Sequence, residues 1–168
     1  MLIMGIDPGI AISGYGLIYH ENNNNKVIEY GVLRTNPDIS VPKRLEYIFN
    51  GYMELIRKYN PEAIAVEELF FNKNAKTIIT VGQARGAALL AASLEDIEVF
   101  EYTPLQVKQA VVGYGRADKP QIQEMTKMLL NLKELPKPDD AADALAVALC
   151  HIYSFKLKSI IDNGRERA

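Results

Sequence analysis

The sequence has few of the residues on which thiol chemistry or a zinc site depends. It contains one cysteine, Cys150, and two histidines, His20 and His151, in 168 residues. A lone cysteine excludes an internal disulfide, and its apolar neighbours Leu149 and Ile152 predict a buried, unreactive thiol in a reducing compartment. Both histidines stand apart from the acidic motifs, so we expect them to be surface or core residues rather than ligands.

Long apolar runs are also absent. No window approaches the roughly 20 apolar residues that a membrane-spanning helix needs, and the N-terminus lacks the segments of a secretory leader. We therefore expect a soluble, cytoplasmic protein. With 48% hydrophobic residues and no repeats or long linkers, the chain predicts a single domain over residues 1–158 and a frayed tail over residues 159–168.

Basic residues are not in excess either. The 19 Lys and Arg residues face 21 Asp and Glu residues, for a net charge of −2, whereas nucleic-acid-binding proteins usually show a basic balance. If four acids formed a metal site, 21 − 4 = 17 acids would remain against 19 basic residues, and bound cations would add positive charge. Composition thus permits a DNA partner without indicating one.

The chain does contain a regular series of apolar strands and helical segments. Residues 2–7 and the next two apolar stretches predict an antiparallel meander, in which Gly14 and Gly16 indicate close approach by another backbone or a ligand. The order βββαβαβααα follows, which predicts an α/β fold with a mixed five-stranded sheet flanked by helices. The helix over residues 75–94 is small or apolar nearly all round, so a second helix or a partner chain must cover it beside the sheet.

Several acids stand where a charge is unusual. Asp7 and Glu67 each end an apolar strand, where an unpaired charge is costly, although capping of a turn explains Asp7 equally well. Glu68 follows Glu67 on the opposite face, so only one of them can join Asp7, and the pattern does not say which. Asp140 and Asp143 share one face of a helix start, a place where acids are common for other reasons.

Together these acids indicate a metal centre. They supply hard oxygen ligands without histidine or cysteine, which suits Mg²⁺ or Mn²⁺ and argues against zinc. Such a cluster is what two-metal cleavage of a phosphodiester requires, since the ions hold the attacking water and the leaving oxygen in line.

Five groups of motifs also occur in the order and spacing of a known family. They are GIDPG with SGYG, AVEELFF with KNA, VGQARG, FEY with QVKQAVVG, and DAADALAVA. In this ordered set the chain resembles the RuvC Holliday-junction resolvases over nearly its whole length. The resemblance implies an RNase H-like fold, selects Glu67 over Glu68, and maps the family's four acids onto Asp7, Glu67, Asp140 and Asp143. Some relatives carry histidine at the position of Asp140.

The resemblance further implies what the protein does. Members are homodimers that nick two strands of a four-way DNA junction in recombination and repair, leave 5′-phosphates, and work with the branch-migration motor complex RuvA–RuvB in the bacterial nucleoid. On this hypothesis Asp7 would bridge two Mg²⁺ ions, which Mn²⁺ can replace. Glu67 and Asp143 would each complete one ion, and Asp140 would help to ligate or orient the attacking water.

A second group of residues is expected to contact DNA. Phe70 matches the family's DNA-inserting aromatic, and two lysines match residues near the scissile phosphate. From the residues alone, the aromatics would be core residues and the lysines ordinary surface residues. The expected DNA-contacting set is Phe70, Phe71, Lys73, Lys108 and Lys119, with Arg85 a weaker candidate for a DNA or structural contact.

Three alternatives stay open. The GID-x-G motif also opens actin-like and sugar-kinase ATPases, but these need two lobes to enclose ATP. A catalytically silent junction-binding protein is disfavoured by the four intact acids. An RNase H-like nuclease acting on RNA is the third.

Overall fold

The computed structural model describes residues 1–69 and 75–165, without the side chains of residues 75–77 and 156–165. Ten elements follow one another along the described chain. They are β1 (Leu2–Asp7), β2 (Ile12–Glu21), β3 (Asn24–Arg34), α1 (Val41–Tyr59), β4 (Ala63–Glu67), α2 (Ala75–Leu94), β5 (Val99–Tyr102), α3 (Pro104–Val112), α4 (Lys119–Leu129) and α5 (Asp139–Arg165).

The strands form one five-stranded sheet in the order β3-β2-β1-β4-β5. The first three strands are antiparallel, whereas β4 and β5 run parallel to β1, which confirms the predicted mixed sheet. In the parallel register Ile6 lies beside Val66. The next residues, Asp7 and Glu67, therefore lie side by side where the two strands end.

Two layers of helices cover the sheet, each with its own apolar core. On one face α1 and α2 pack over Met4, Ile6 and Leu17, and on the other α5 packs over Ile3 and Ile18 together with α3 and α4. Helix α2 is thus covered partly by α1, a helix of the same chain. Its buried side is made of alanines, namely Ala84, Ala88, Ala91 and Ala92.

Helix α5 crosses the sheet at unusually short range because glycines lie beneath it. A Cβ atom at Gly14 would collide with the carbonyl oxygen of Asp140, and one at Gly5 would collide with that of Ala144. The close approach predicted at Gly14 is therefore confirmed, and the approaching backbone is that of α5. This contact holds the first turn of α5 over Gly14 on β2, the register partner of Asp7 at the end of β1.

The helix ends follow the expected signals in most places. Thr103 begins α3 with a complete capping box, and Gly113 ends it in the left-handed conformation at φ 90°. Helix α4 ends at Leu129, and its N-cap is Asp118. Helix α5 continues to Arg165, beyond the apolar spacing that ends near Phe155. The boundary at residue 158 and the fraying of the tail stay predictions.

Among the described residues, every helix is too short or too polar to traverse a bilayer.

Candidate active site

The four predicted acids come together at one end of the sheet. Asp7 and Glu67 are the last residues of β1 and β4. Asp140 lies in the first turn of α5 and Asp143 follows it one turn later, and the contact at Gly14 brings this end of the helix over β2. Three segments that are far apart in the sequence therefore supply the cluster.

The charge of Asp7 is poorly compensated at this position. Burial, followed in effect by the carboxylates of Asp143, Glu67 and Asp140, raises the pKa of Asp7 to about 7, and Lys119 opposes the rise. Burial likewise raises the pKa of Glu67, followed in effect by the repulsion of Asp143. The cluster therefore carries more negative charge than its surroundings neutralise.

Lys119, the first residue of α4, is the cation closest to this cluster in the described contacts. Its Nζ lies 3.0 Å from Oδ2 of Asp143 and 3.4 Å from Oδ2 of Asp139. Burial raises the pKa of Asp143, and the hydrogen bond from Lys119 counters part of that rise. Asp118 caps α4 by accepting a hydrogen bond from the Gln121 amide at 2.9 Å, which fixes the helix start that carries Lys119.

The donor set suits a hard divalent cation. All four side chains offer carboxylate oxygens, and the repulsion of Asp7 by Asp143, Glu67 and Asp140 is what a cation bound among them would relieve. Over residues 1–69 and 75–165, however, no three acidic, histidine or cysteine side chains are arranged closely enough to enclose an ion. Asp143 instead pairs with Lys119. The residues fit Mg²⁺ or Mn²⁺, provided that Asp143 turns away from Lys119.

Two clefts meet at Glu67. One, of about 190 Å³, is lined by Glu67, Asp143, Lys108 and Lys119. The other is lined by Asp7, Glu67 and Glu68, among others. Asp7, Glu67 and Asp143 thus face open grooves, and two of the lysines expected to contact DNA lie in the first of them.

The remaining predicted residues have varied outcomes. Glu68 is exposed, whereas Glu67 belongs to the cluster. Arg85 forms an ion pair with Glu101 on β5, which gives it a structural contact. Phe70, Phe71 and Lys73 lie outside the described residues, so their expected contacts stay predictions.

The histidines and the cysteine occupy the ordinary positions expected of them. His151 is 1% exposed and lies in a hydrogen bond with the Tyr102 hydroxyl at 2.8 Å, while His20 pairs with Asn25. Cys150 is fully buried, and burial raises its pKa to about 11.

Two polar features were missed by sequence reasoning. Lys119 contacts Asp139 and Asp143, which lie 20 or more positions away, and no local sequence pattern predicts this contact. Ser13 and Tyr52 form a buried hydroxyl pair at 2.6 Å. The only signal for it in the sequence is a serine among the apolar and small residues at the start of β2.

The relationship to known proteins agrees with this geometry. A model of the family described as crossover junction endodeoxyribonuclease RuvC matches residues 3–151 of the chain. The chain belongs to the RuvC family. The RuvC protein of Desulforamulus reducens is 60% identical over 151 residues, which cover 90% of this chain and 93% of the relative. That of Alkaliphilus metalliredigens is 57% identical over 160 residues, covering 95% and 98%.

Solved structures of the RuvC family superpose closely on the chain. RuvC of Thermus thermophilus has a TM-score of 0.88 at 37% identity, with 94% of this chain and 97% of that chain covered. The same protein in complex with a Holliday junction substrate gives a TM-score of 0.89 at 37% identity, covering 94% and 96%. The expected RNase H-like fold and nuclease class are confirmed, and the ATPase and RNA-nuclease alternatives are not favoured.

Proposed function

We propose that the protein resolves four-way DNA junctions by metal-dependent hydrolysis of two phosphodiester bonds, in homologous recombination and DNA repair. The observation that carries the proposal is the meeting of four acids around Asp7 in a member of the RuvC family. A relative of the same fold has been solved with a Holliday junction substrate, which supports junction DNA as the substrate.

Each acid has a separate role in the proposal. Asp7 would hold both of two Mg²⁺ ions because the other three carboxylates surround it. Glu67 and Asp143 would each complete the ligands of one ion, and Asp140 would help to ligate or orient the attacking water. The ions, or Mn²⁺ in their place, would supply an activated water and stabilise the charge on the leaving oxygen.

The lysines of the first cleft would hold the DNA backbone. Lys108 and Lys119 line the groove that also contains Glu67 and Asp143, so a phosphate bound there would lie beside the acids. Their positive charge would attract the phosphate and stabilise charge that develops during cleavage. Lys119 would break its ion pair with Asp143 when it binds the phosphate.

The decisive experiment uses Asp7→Asn, with Asp38→Asn as a matched control in an exposed loop. We expect the Asp7 variant to bind a synthetic four-way junction but to leave it intact in Mg²⁺, whereas the Asp38 variant nicks both strands normally. Parallel reactions on duplex DNA and RNA establish the substrate class. If Asp7→Asn still nicks the junction, the assignment of Asp7 to the active site is wrong.

A homodimer through α2 is part of the proposal. Ile79, Leu90 and Leu94 are 63%, 53% and 58% exposed, and their spacing places them on one side of the helix together with Gly86, which has open space around it. A two-fold dimer would present two identical sites to a pseudo-two-fold junction. Leu90→Glu should convert the dimer to a monomer in sedimentation analysis; an unchanged mass would exclude this face.

Base stacking by Phe70, contacts from Phe71 and Lys73, and cooperation with the RuvA–RuvB motor complex are proposed on the family resemblance alone. Phe70→Ala should reduce the unstacking of bases at the junction centre, which is measured by the fluorescence of 2-aminopurine placed there.

A further inference from the structure

A buried polar pair lies on the side of the sheet away from the four acids. Ser13 on β2 and Tyr52 on α1 are each 0% exposed, and their hydroxyl oxygens are 2.6 Å apart. The helices around them contribute an apolar core, and neither residue lines the two clefts described above. The pair therefore has no direct part in the proposed chemistry.

The two hydroxyls hold three backbone groups of the turn between β1 and β2. The Gly9 amide donates to Oγ of Ser13 at 3.3 Å, and the Ser13 hydroxyl donates to the Asp7 carbonyl at 3.4 Å. The Tyr52 hydroxyl donates to the Gly14 carbonyl at 3.2 Å. The two hydroxyl hydrogens are thus shared between the pair itself and two carbonyl oxygens.

These backbone groups belong to both halves of the acid cluster. Asp7 and Gly14 are register partners at the last position of the β1–β2 ladder. Gly14 also forms the contact with the Asp140 carbonyl that seats the first turn of α5. A shift of the backbone at Asp7 or Gly14 would therefore change the separation between the Asp7 carboxylate and the acids of α5.

A pair of hydroxyls is a costly way to fill a core. Each hydroxyl must be desolvated, and its hydrogen bonds do little more than offset that cost, so apolar side chains would give comparable stability. Hydrogen bonds differ from apolar contacts in being directional, and a satisfied network fixes the groups that it joins.

We propose that Ser13 and Tyr52 are positioning residues, which fix the backbone at Asp7 and Gly14 and thereby set the affinity of the acid cluster for its metal ions. This inference rests on the proposed function, because it assumes that Asp7 is a ligand. Neither side chain touches the ions or the DNA in this role.

The test is a titration of the DNA-free protein with Mn²⁺ alone, in which electron paramagnetic resonance measures the free and bound ion. Tyr52→Phe and Ser13→Ala should each weaken Mn²⁺ binding by about tenfold or more, the range found when outer-shell partners of metal ligands are removed. The Mg²⁺ concentration for half-maximal nicking should rise by the same factor, while the rate at saturating Mg²⁺ changes less. The double variant should bind no worse than the weaker single variant, since the hydroxyls act as a unit.

Tyr59→Phe is the matched control. Tyr59 lies on the same helix and donates to the Glu29 carboxylate at 2.6 Å, so the variant loses a hydrogen bond of equal length that has no route to Asp7. If Tyr59→Phe weakens Mn²⁺ binding as much as Tyr52→Phe, loosening of α1 explains the result and the inference is overturned.

The remaining outcomes are equally decisive. Unchanged Mn²⁺ affinity in a folded Tyr52→Phe or Ser13→Ala protein overturns the positioning role, and Ser13→Ala decides the matter alone if the tyrosine variant does not fold. Asp7→Asn in the same titration separates the two ideas. If it binds Mn²⁺ normally, the proposed metal site fails, whereas normal binding by Tyr52→Phe alone removes only the positioning role.

Discussion

Replacing Asp7 with asparagine is expected to stabilise the metal-free protein, although the same change should abolish nicking. Burial and the neighbouring carboxylates raise the pKa of Asp7 from the 3.8 of an unperturbed aspartate to about 7 in the folded protein. Since a tenfold change in proton affinity corresponds to about 1.4 kcal/mol, the charged form costs up to about 4 kcal/mol of folding free energy. Asparagine has nearly the same shape and no charge, so it avoids this cost.

The effect must depend on pH in a definite direction. Between about pH 4 and pH 7 the folded protein keeps a proton on Asp7 that the unfolded chain has released, so stability conferred by the neutral carboxyl is lost as pH rises through this window. Above pH 7 Asp7 is charged in both the folded and the unfolded protein, so the folded state bears the full cost of the buried charge. The advantage of Asp7→Asn should therefore be near zero at pH 4 and largest at pH 8.

The assay is urea unfolding in EDTA at pH 4, 6 and 8, followed by far-ultraviolet circular dichroism. Asp38→Asn, in an exposed loop, is the control and should leave the free energy of unfolding nearly unchanged at each pH. Millimolar Mg²⁺ at pH 8 should stabilise the wild type more than Asp7→Asn, because the ions relieve the repulsion. An Asp7→Asn protein that is no more stable than the wild type at pH 8 would refute the reasoning.

Three further experiments, two with variants and one with the wild type, test other parts of the structure. Lys119→Met should tighten Mn²⁺ binding without DNA, because it removes the cation 3.0 Å from Asp143; weaker binding in a calorimetric titration would show that the lysine supports the site. Gly14→Ala should lower the free energy of unfolding by about 1–3 kcal/mol and reduce nicking, because its Cβ would meet the Asp140 carbonyl; a fully stable, active variant contradicts that contact. Cys150 should resist DTNB at pH 8 until urea unfolds the chain, since burial raises its pKa to about 11; rapid labelling of the native protein argues against burial.

Much of the fold follows from patterns that act locally. Alternation and apolar runs predict the strands, and signals such as Thr103-Pro104 and Gly113 predict where α3 begins and ends. The end of α5 did not follow, because the apolar spacing fades near Phe155 while the backbone stays helical to Arg165. Loss of an apolar face does not by itself end a helix.

The site depends on contacts that cross long stretches of sequence, so less of it could be predicted. Strand alternation allowed either Glu67 or Glu68 to join Asp7, and the parallel register of β1 and β4 places Glu67 there. The pairing of Lys119 with Asp143 depends on how α4 packs against α5. No periodicity within either helix specifies that packing.

Because α5 packs directly on the glycines of the sheet, the active site and the apolar core should lose their structure together. Two of the four acids lie on the helix whose buried residues fill one face of the sheet, and the helix is seated so closely that it cannot shift along β1 and β2 without a collision. Any partial opening that exposes this core also disperses the acids. Unfolding and inactivation should therefore form a single cooperative transition, and a compact but inactive intermediate should not accumulate.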